Sequence, residues 1–204
     1  PLGKIYLPDA SYREMTEWVL PVDQQSAYED LSHEMKEDHR WPQIQRFMRG
    51  GYWRNFKVRY PESNEMYARM MMVSRHLEQA EREGVSGEAF DHARRELYRG
   101  QCNCPYWHGA FGGIYLPHLR NAIYRHLIAA DNLLDRLAGR PETWIDATAG
   151  DINFDARQED QLANDKLEAW LAPAAGRHLY VLDVSAKRHH LLATMTRPPE
   201  ANHR

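Results

Sequence analysis

Cysteine is almost missing from this chain. Cys102 and Cys104 are the only two in 204 residues, and one intervening residue is too few for an ordinary disulfide. Nothing points to an oxidising compartment, and a cytoplasmic location is expected. An excess of positive charge is missing as well: 26 Lys and Arg stand against 29 Asp and Glu, a formal net charge of -3. That balance gives no basic field for nucleic acid and argues against a polyanionic ligand. No apolar run is long enough to span a bilayer, and the first residues carry no signal-peptide pattern, so a membrane partner is not expected. There is no internal repeat and no low-complexity tract. The chain opens on proline instead of methionine, from which we expect a piece of a longer chain or a processed one. What is present is a 43% share of hydrophobic residues, enough to bury a core in one or two domains.

Helical periodicity fills the first two thirds. Pro1–Ala10 reads as extended. Ser11 and Glu14, then Ser26 and Glu29, have capping-box spacing and predict short helices to Leu20 and to about Asp38. Leu31 and Met35 share a face of the second. Gly50-Gly51 reads as a stop. After Pro61, the residues Met66, Met70, Val73, Leu77 and Ala80 recur at spacings of four and three, with Met71 and Met72 widening the stripe. Such a stripe reads as core. Gly84 ends this helix and Ser86 can cap the next, which carries Phe90, Ala93 and Leu97. A further helix from Leu116 or Pro117 keeps Leu119, Ile123, Leu127, Ala130, Leu134 and Leu137 in phase until Gly139-Arg140-Pro141.

The period then changes. Asp151–Asp155, Leu167–Leu171 and His178–Val184 alternate polar and apolar residues and predict short strands, with turns at Pro173, Gly176 and Ser185–Arg188. The fold class expected is α+β: a mainly α-helical bundle over residues of about 11–139, then an incomplete antiparallel β-sandwich segment. We place the boundary near residue 140, giving a helical domain 1–140 and a β segment 141–204. So few strands would leave uncovered edges.

One stretch is unlike either pattern. Gln101–Gly113 packs two cysteines, Asn103, Tyr106, Trp107, His108 and three glycines between two helices. Pro105 breaks the helical run, and the glycines permit sharp turns or close approach. Flat aromatic faces beside groups that donate and accept suit a wall for a hydroxyl-rich ligand. The same composition also suits a buried helix-to-helix corner. Trp53, Arg54 and Asn55 form a second polar-aromatic cluster, open to two readings: interhelix packing with Asn55 capping backbone groups, or part of a ligand groove.

The run QCNCPYWHGAFGGIYLPHLR resembles the last conserved region of the 4-α-glucanotransferase and α-amylase type enzymes of glycoside hydrolase family 57. Gly51–Asn64 and His190–Ala201 are similar to two further stretches of that family, in the same order. The resemblance implies a helical region that follows a catalytic barrel and precedes a β-sandwich. It implies retaining glycoside chemistry by two carboxylates that lie in the upstream barrel. No motif here matches either, so no catalytic residue is assigned. What carries over is contact with an α-1,4-glucan or maltooligosaccharide. Trp107 would be a stacking platform, with Tyr106, His108 and Asn103 ordering the turn or reaching sugar hydroxyls, and Trp53 and Asn55 a second wall. The partners implied are the glucan and the barrel of the same polypeptide. Cys104 stands where some members carry aspartate, and a thiol is a poor partner for a sugar hydroxyl.

No cofactor or metal is expected. Cys102, Cys104, His108 and His118 lack zinc spacing and a second cysteine pair, and read better as small buried thiols. Asp151–Ala156 has the alternating oxygens of a calcium loop without its glycine or its bidentate glutamate, so an acidic strand face is expected. His189 and His190 read as surface residues of a turn, and most Asp and Glu as solvated. The rival reading of the whole is a non-catalytic helical module that binds carbohydrate or a partner protein.

Overall fold

The computed structural model describes residues 13–107, 112–196 and 198–201. The expectations for Pro1–Ala10 and for a cap at Ser11 lie outside them. The chain packs as two compact units, one of residues up to Pro61 with those from Thr196 on, the other Glu62–Met195. Among the described residues no helix is long and apolar enough to cross a membrane.

Among its described residues the first unit has four short helices: α1 (Arg13–Glu17), α2 (Val22–Met35), α3 (Trp41–Ile44) and α4 (Trp53–Arg59). Helix α2 begins directly after Pro21, ahead of the expected cap. Ser26 is inside it and its hydroxyl turns back to the Val22 carbonyl at 3.1 Å. Gly50-Gly51 acts by close approach. A Cβ on Gly50 would lie 2.3 Å from the Thr16 carbonyl oxygen, and one on Gly51 2.3 Å from Val19 Cγ2. Helix α4 is closed by an exchange in which the Tyr52 N–H donates to Asn55 Oδ1 at 3.0 Å. Its rings stack, Trp53 on Phe56 at 5.7 Å and Phe56 on Tyr60 at 4.4 Å.

The second unit holds α5 (Pro61–Arg82), α6 (Glu88–Gly100) and α7 (Pro117–Leu137). The apolar stripe of α5 is the buried one: Met66, Val73 and Leu77 are closed off, together with Ser63, Ala68 and Arg69. Helix α6 starts after Gly87, at φ +101° and with no side-chain cap, so Ser86 does not cap it. Gly100 lets α6 meet α7, since a Cβ there would lie 2.5 Å from Leu127 Cδ2.

Five antiparallel strands follow as a meander in sequence order: β1 (Ile145–Gly150), β2 (Glu159–Asn164), β3 (Leu167–Ala172), β4 (His178–Val184) and β5 (His189–His190). Trp170 and Val181, both 0% exposed, pack on Ala68 of α5, with Met72 beside them. Burying a side chain such as Val181 contributes about 1.5–3 kcal/mol. The edge strand β1 is open, with Ile145 86% exposed. Residues 151–155 are a loop, not the expected strand. Phe154 and Ala156 both sit at φ +65°, and the Asp155 N–H donates to Asp151 and Asn153 side chains at 3.0 and 2.9 Å. Positive φ is incompatible with the pleat.

Candidate functional site

The turn after α6 is held from several sides. Cys104–Tyr106 forms a single 3-10 turn. The Tyr106 hydroxyl donates to the Gly100 carbonyl at 2.7 Å, and the Tyr106 carbonyl accepts from Ser63 Oγ at 2.7 Å. Burial pushes the Tyr106 hydroxyl pKa well up, so it stays a donor. Trp107 Nε1 donates to Asn103 Oδ1 at 2.8 Å, and the Trp107 carbonyl accepts from the Ile114 N–H at 2.8 Å. Gly113 makes that closure possible: at φ +43°, a Cβ would fall 2.0 Å from the Trp107 carbonyl oxygen.

These contacts bring Asn103, Tyr106 and Trp107 together. They divide unequally between surface and interior. Asn103 is exposed, whereas Tyr106 is 5% and Trp107 8% exposed. Little of the Trp107 ring is therefore open for stacking. His108 lies outside the described residues. Cys102 and Cys104 are exposed free thiols, correcting the buried reading: Pro105 and Tyr106, not the thiols, are the residues that this turn buries.

Trp53 and Asn55 belong to the first unit. Asn55 is exposed and its oxygen is the helix cap; Trp53 is half-buried, with the Lys57 ammonium 6.0 Å from its ring centre. The family-like stretches are tied to one another within each unit. In the first, Tyr60 OH donates to Glu200 Oε1 at 2.6 Å and Arg59 to the Pro199 carbonyl at 2.9 Å. In the second, Ser63 bonds Tyr106 as above, and Arg120 donates to the Ala193 carbonyl at 2.9 Å. Sequence reasoning overlooked Tyr60, Ser63, Arg120 and Glu200, because nothing in a motif says which of its residues meets another motif.

The strongest electrostatic feature was also unforeseen. Arg69 of α5, 1% exposed, donates to Asp131 Oδ2 (2.9 Å), Glu168 Oε2 (2.7 Å) and Asp183 Oδ2 (3.1 Å). Glu168 and Asp183 sit directly opposite each other on β3 and β4, a like-charge pair that needs a cation. Each second carboxylate oxygen has its own partner: His76 Nδ1 for Asp131 (3.0 Å), Gln161 and Trp170 for Glu168 (2.8 and 2.7 Å), and His190 Nδ1 for Asp183 (2.8 Å). His190 is thus 2% exposed and stacked on Tyr124 at 4.0 Å, correcting its surface reading; His189 is exposed.

Burial alone would raise Asp131, but Arg69 and His76 outweigh it and hold that carboxyl well below its ordinary range. Burial dominates at Glu168, with Asp131 and Asp183 nearby, and pushes it up to about 7. Paired carboxylates with separated pKa values are the mark of acid–base sites. Here every oxygen is engaged by a protein donor, so the cluster locks helices to sheet.

Asp151, Asp155 and Glu159 bring carboxylate oxygens within 4.8 Å of one another. Glu159 accepts the N–H groups of Ile152 and Asn153 at 2.9 and 3.2 Å, and the two aspartates accept others of the same loop. That bonding accounts for the cluster as loop closure.

Long helices on an antiparallel meander, with a glycine-closed aromatic turn at one helix end, define an α+β scaffold that presents a rigid loop. Its family follows from two matches: residues 51–134 match the family model "Alpha-amylase/4-alpha-glucanotransferase, middle domain", and residues 151–204 the model "Alpha-amylase/4-alpha-glucanotransferase, C-terminal". The chain belongs to the alpha-amylase/4-alpha-glucanotransferase family. It is 38% identical to Alpha-amylase 1 of Dictyoglomus thermophilum over all of its length and 28% of that protein. It is 40% identical to the 4-alpha-glucanotransferase of Thermococcus litoralis over 92% of its length and 25% of that protein. The crystal structure of the Thermococcus litoralis enzyme matches with a TM-score of 0.77 at 35% identity, covering 97% of this chain and 28% of that one. The chain thus spans little more than a quarter of the relatives it matches. Proteins named for hydrolysis and for transfer are matched equally well, so these residues do not separate the two.

Proposed function

We propose that this chain is the non-barrel part of an α-glucan-active enzyme, and that it completes the substrate cleft beside an upstream catalytic barrel. In this reading residues 1–140 are the helical middle domain and 141–204 the first strands of a β-sandwich domain. The barrel supplies the two carboxylates of a retaining glycosyl transfer or hydrolysis. This chain binds and orients an α-1,4-glucan or maltooligosaccharide. Asn103 reaches a sugar hydroxyl through the amide N–H groups that its bond to Trp107 leaves over. Trp107 braces the turn beside the sugar, Tyr106 anchors it, and His108 is assigned to contact with sugar hydroxyls. Trp53 and Asn55 form a further wall. Exposed thiols without disulfide geometry suit a reducing cytoplasm.

The observation that carries this reading is the locked Asn103–Trp107 turn, which lies within the matched middle domain. Preorganised binding groups of this kind convert contact energy into orientation. Incubated with maltoheptaose, the purified 204-residue chain is expected to release no glucose and no longer oligosaccharides; turnover above buffer would place the carboxylates here. In the polypeptide that joins this chain to its barrel, Asn103→Ala is expected to raise KM for maltooligosaccharides about tenfold, the ~1.4 kcal/mol of one hydrogen bond. Unchanged KM and kcat would remove the turn from the cleft.

A further inference from the structure

We propose that the second unit carries another α-glucan-binding site, separate from the 101–107 turn, in a groove centred on Trp144. The groove consists of two cavities of about 420 and 130 Å3 that share Asn132, Asp135, Arg140, Trp144, Asn164 and Ser185. It runs between the C-terminal end of α7, the start of β1 and the turns after β2 and β4.

The ring at its centre is held in place by the way α7 ends. Gly139, at φ +69°, reverses the chain, and the Arg140 N–H returns to the Asp135 carbonyl at 3.2 Å. The Arg140 side chain then folds over Trp144, its guanidinium carbon 4.0 Å from the ring centre, and its Nε donates to Asp135 Oδ1 at 2.8 Å. Trp144 remains half-exposed and borders the groove. A flat ring fixed by an arginine on one side is a platform that loses little freedom on binding.

The surrounding groups select a neutral, hydroxyl-rich ligand. Asn132 donates to the Ser185 carbonyl at 2.9 Å and keeps its own oxygen as an acceptor. Asn164 has its oxygen on the N–H groups of Lys166 and Leu167, both at 2.8 Å, and keeps its amide donors. Beside the Asp135–Arg140 pair, Glu142 and Asp165 face Arg136 and Arg188, so the larger cavity carries equal charge of each sign. A polyanion would meet Asp135 and Asp165, and an apolar ligand would strip water from groups that it cannot bond. A pyranose presents a C–H face for the ring and hydroxyls that both donate and accept. The larger cavity falls in the ordinary range for small-ligand sites, about 300–1,000 Å3. The choice of α-glucan over another saccharide rests on the function proposed above. The second site would keep a long chain near the cleft and raise its effective concentration there.

The test is a titration of the intact 204-residue chain with maltoheptaose, and with cellohexaose in parallel. It is followed by calorimetry and by the tryptophan indole N–H signals in 15N spectra. We expect saturable binding of maltoheptaose that shifts the Trp144 signal. Trp144→Ala should weaken it at least tenfold, Trp144→Tyr should recover most of the affinity, and Asn103→Ala should leave it within twofold for this groove. An unmoved Trp144 signal, or Trp144→Ala with parental affinity and an unchanged circular dichroism spectrum, overturns the site. Loss of binding in Asn103→Ala alone would overturn it while leaving the turn's role standing. Preference for cellohexaose would overturn the assignment of α-glucan.

Discussion

The two units solve the same problem with different chemistry. The first, whose described helices are no longer than α2, carries a stack of rings, Trp53 on Phe56 on Tyr60, that ends in a buried hydrogen bond from Tyr60 to Glu200. It leaves large apolar side chains in the open, with Phe47 85% and Val58 81% exposed. The second unit has long helices, a sheet, and one buried cation that three carboxylates share. The contrast teaches where charge is tolerated inside a protein. In the first unit the buried carboxylate of Glu200 accepts a tyrosine hydroxyl, whereas the facing pair Glu168 and Asp183 shares a guanidinium whose fork matches several acceptors at once.

The sharpest way to break this comparison is to remove the cation. Arg69→Met keeps length and apolar bulk but leaves three buried carboxylates with one oxygen each unpaired. Breaking a buried pair costs about 3–5 kcal/mol, so the urea midpoint of the second unit should fall far, with near-ultraviolet dichroism lost first. A variant with the parental midpoint would show that the hub does not hold helix to sheet. The matching change in the first unit is smaller. Tyr60→Phe removes one hydroxyl from Glu200, a hydrogen bond to a charged group worth about 1.5–3 kcal/mol. A cost as large as that of Arg69→Met would erase the distinction between the units.

A third experiment uses pH. Glu168 has a native pKa of about 7 against an ordinary value of 4.5, so the native state binds more protons than the unfolded one between those values. Its contribution is fully present below pH 4.5 and is lost as pH rises through about 7. His76, raised mainly by its bond to Asp131, has the same sign and adds a loss above its ordinary 6.5. Asp131 has the opposite sign: its stabilisation is present above 3.8 and disappears only in stronger acid. Stability of the second unit should therefore fall between pH 5 and 8, and Glu168→Gln should flatten that fall. An identical slope in denaturation curves of the variant would mean that Glu168 is ionised throughout.

Much of the second unit was legible because its signals are long. The α5 stripe and the α7 stripe run for several turns, and the change of period after Trp144 marks the sheet. The hub was legible too, and was passed over. Arg69 falls three residues after Met66 and four before Val73, in phase with the buried face, and Asp131 falls between Leu127 and Leu134 in the same way. A charge in phase with an apolar stripe predicts a buried partner of opposite sign. The first unit was harder to read. Its helices are too short for periodicity, so local pairs such as Ser26 with Glu29 carried weight that belonged to Pro21. At the candidate site the sequence located the turn, since proline, glycine and aromatics cluster nowhere else as densely. It could not say that Trp107 would be nearly closed off, because burial depends on what packs against the turn.

The smallest effect tests the most ambiguous residue. Asn55 accepts the Tyr52 N–H in a capping exchange, while α6 in the other unit starts at Gly87 with no side-chain cap at all. Helix α4 is short, so one cap is a large share of what holds its first turn. Asn55→Ala is expected to cost about 1 kcal/mol, a typical cap loss. Asn55→Asp keeps the acceptor at the positive end of the helix and should cost nothing or add slightly. The two variants therefore separate the roles. If stability follows the cap and maltooligosaccharide kinetics of the barrel-linked polypeptide are parental in both, Asn55 is a helix cap alone. If Asn55→Asp is as stable as the parent yet raises KM, the amide N–H groups touch the glucan, and the first unit supplies a wall of the cleft as well as a fold.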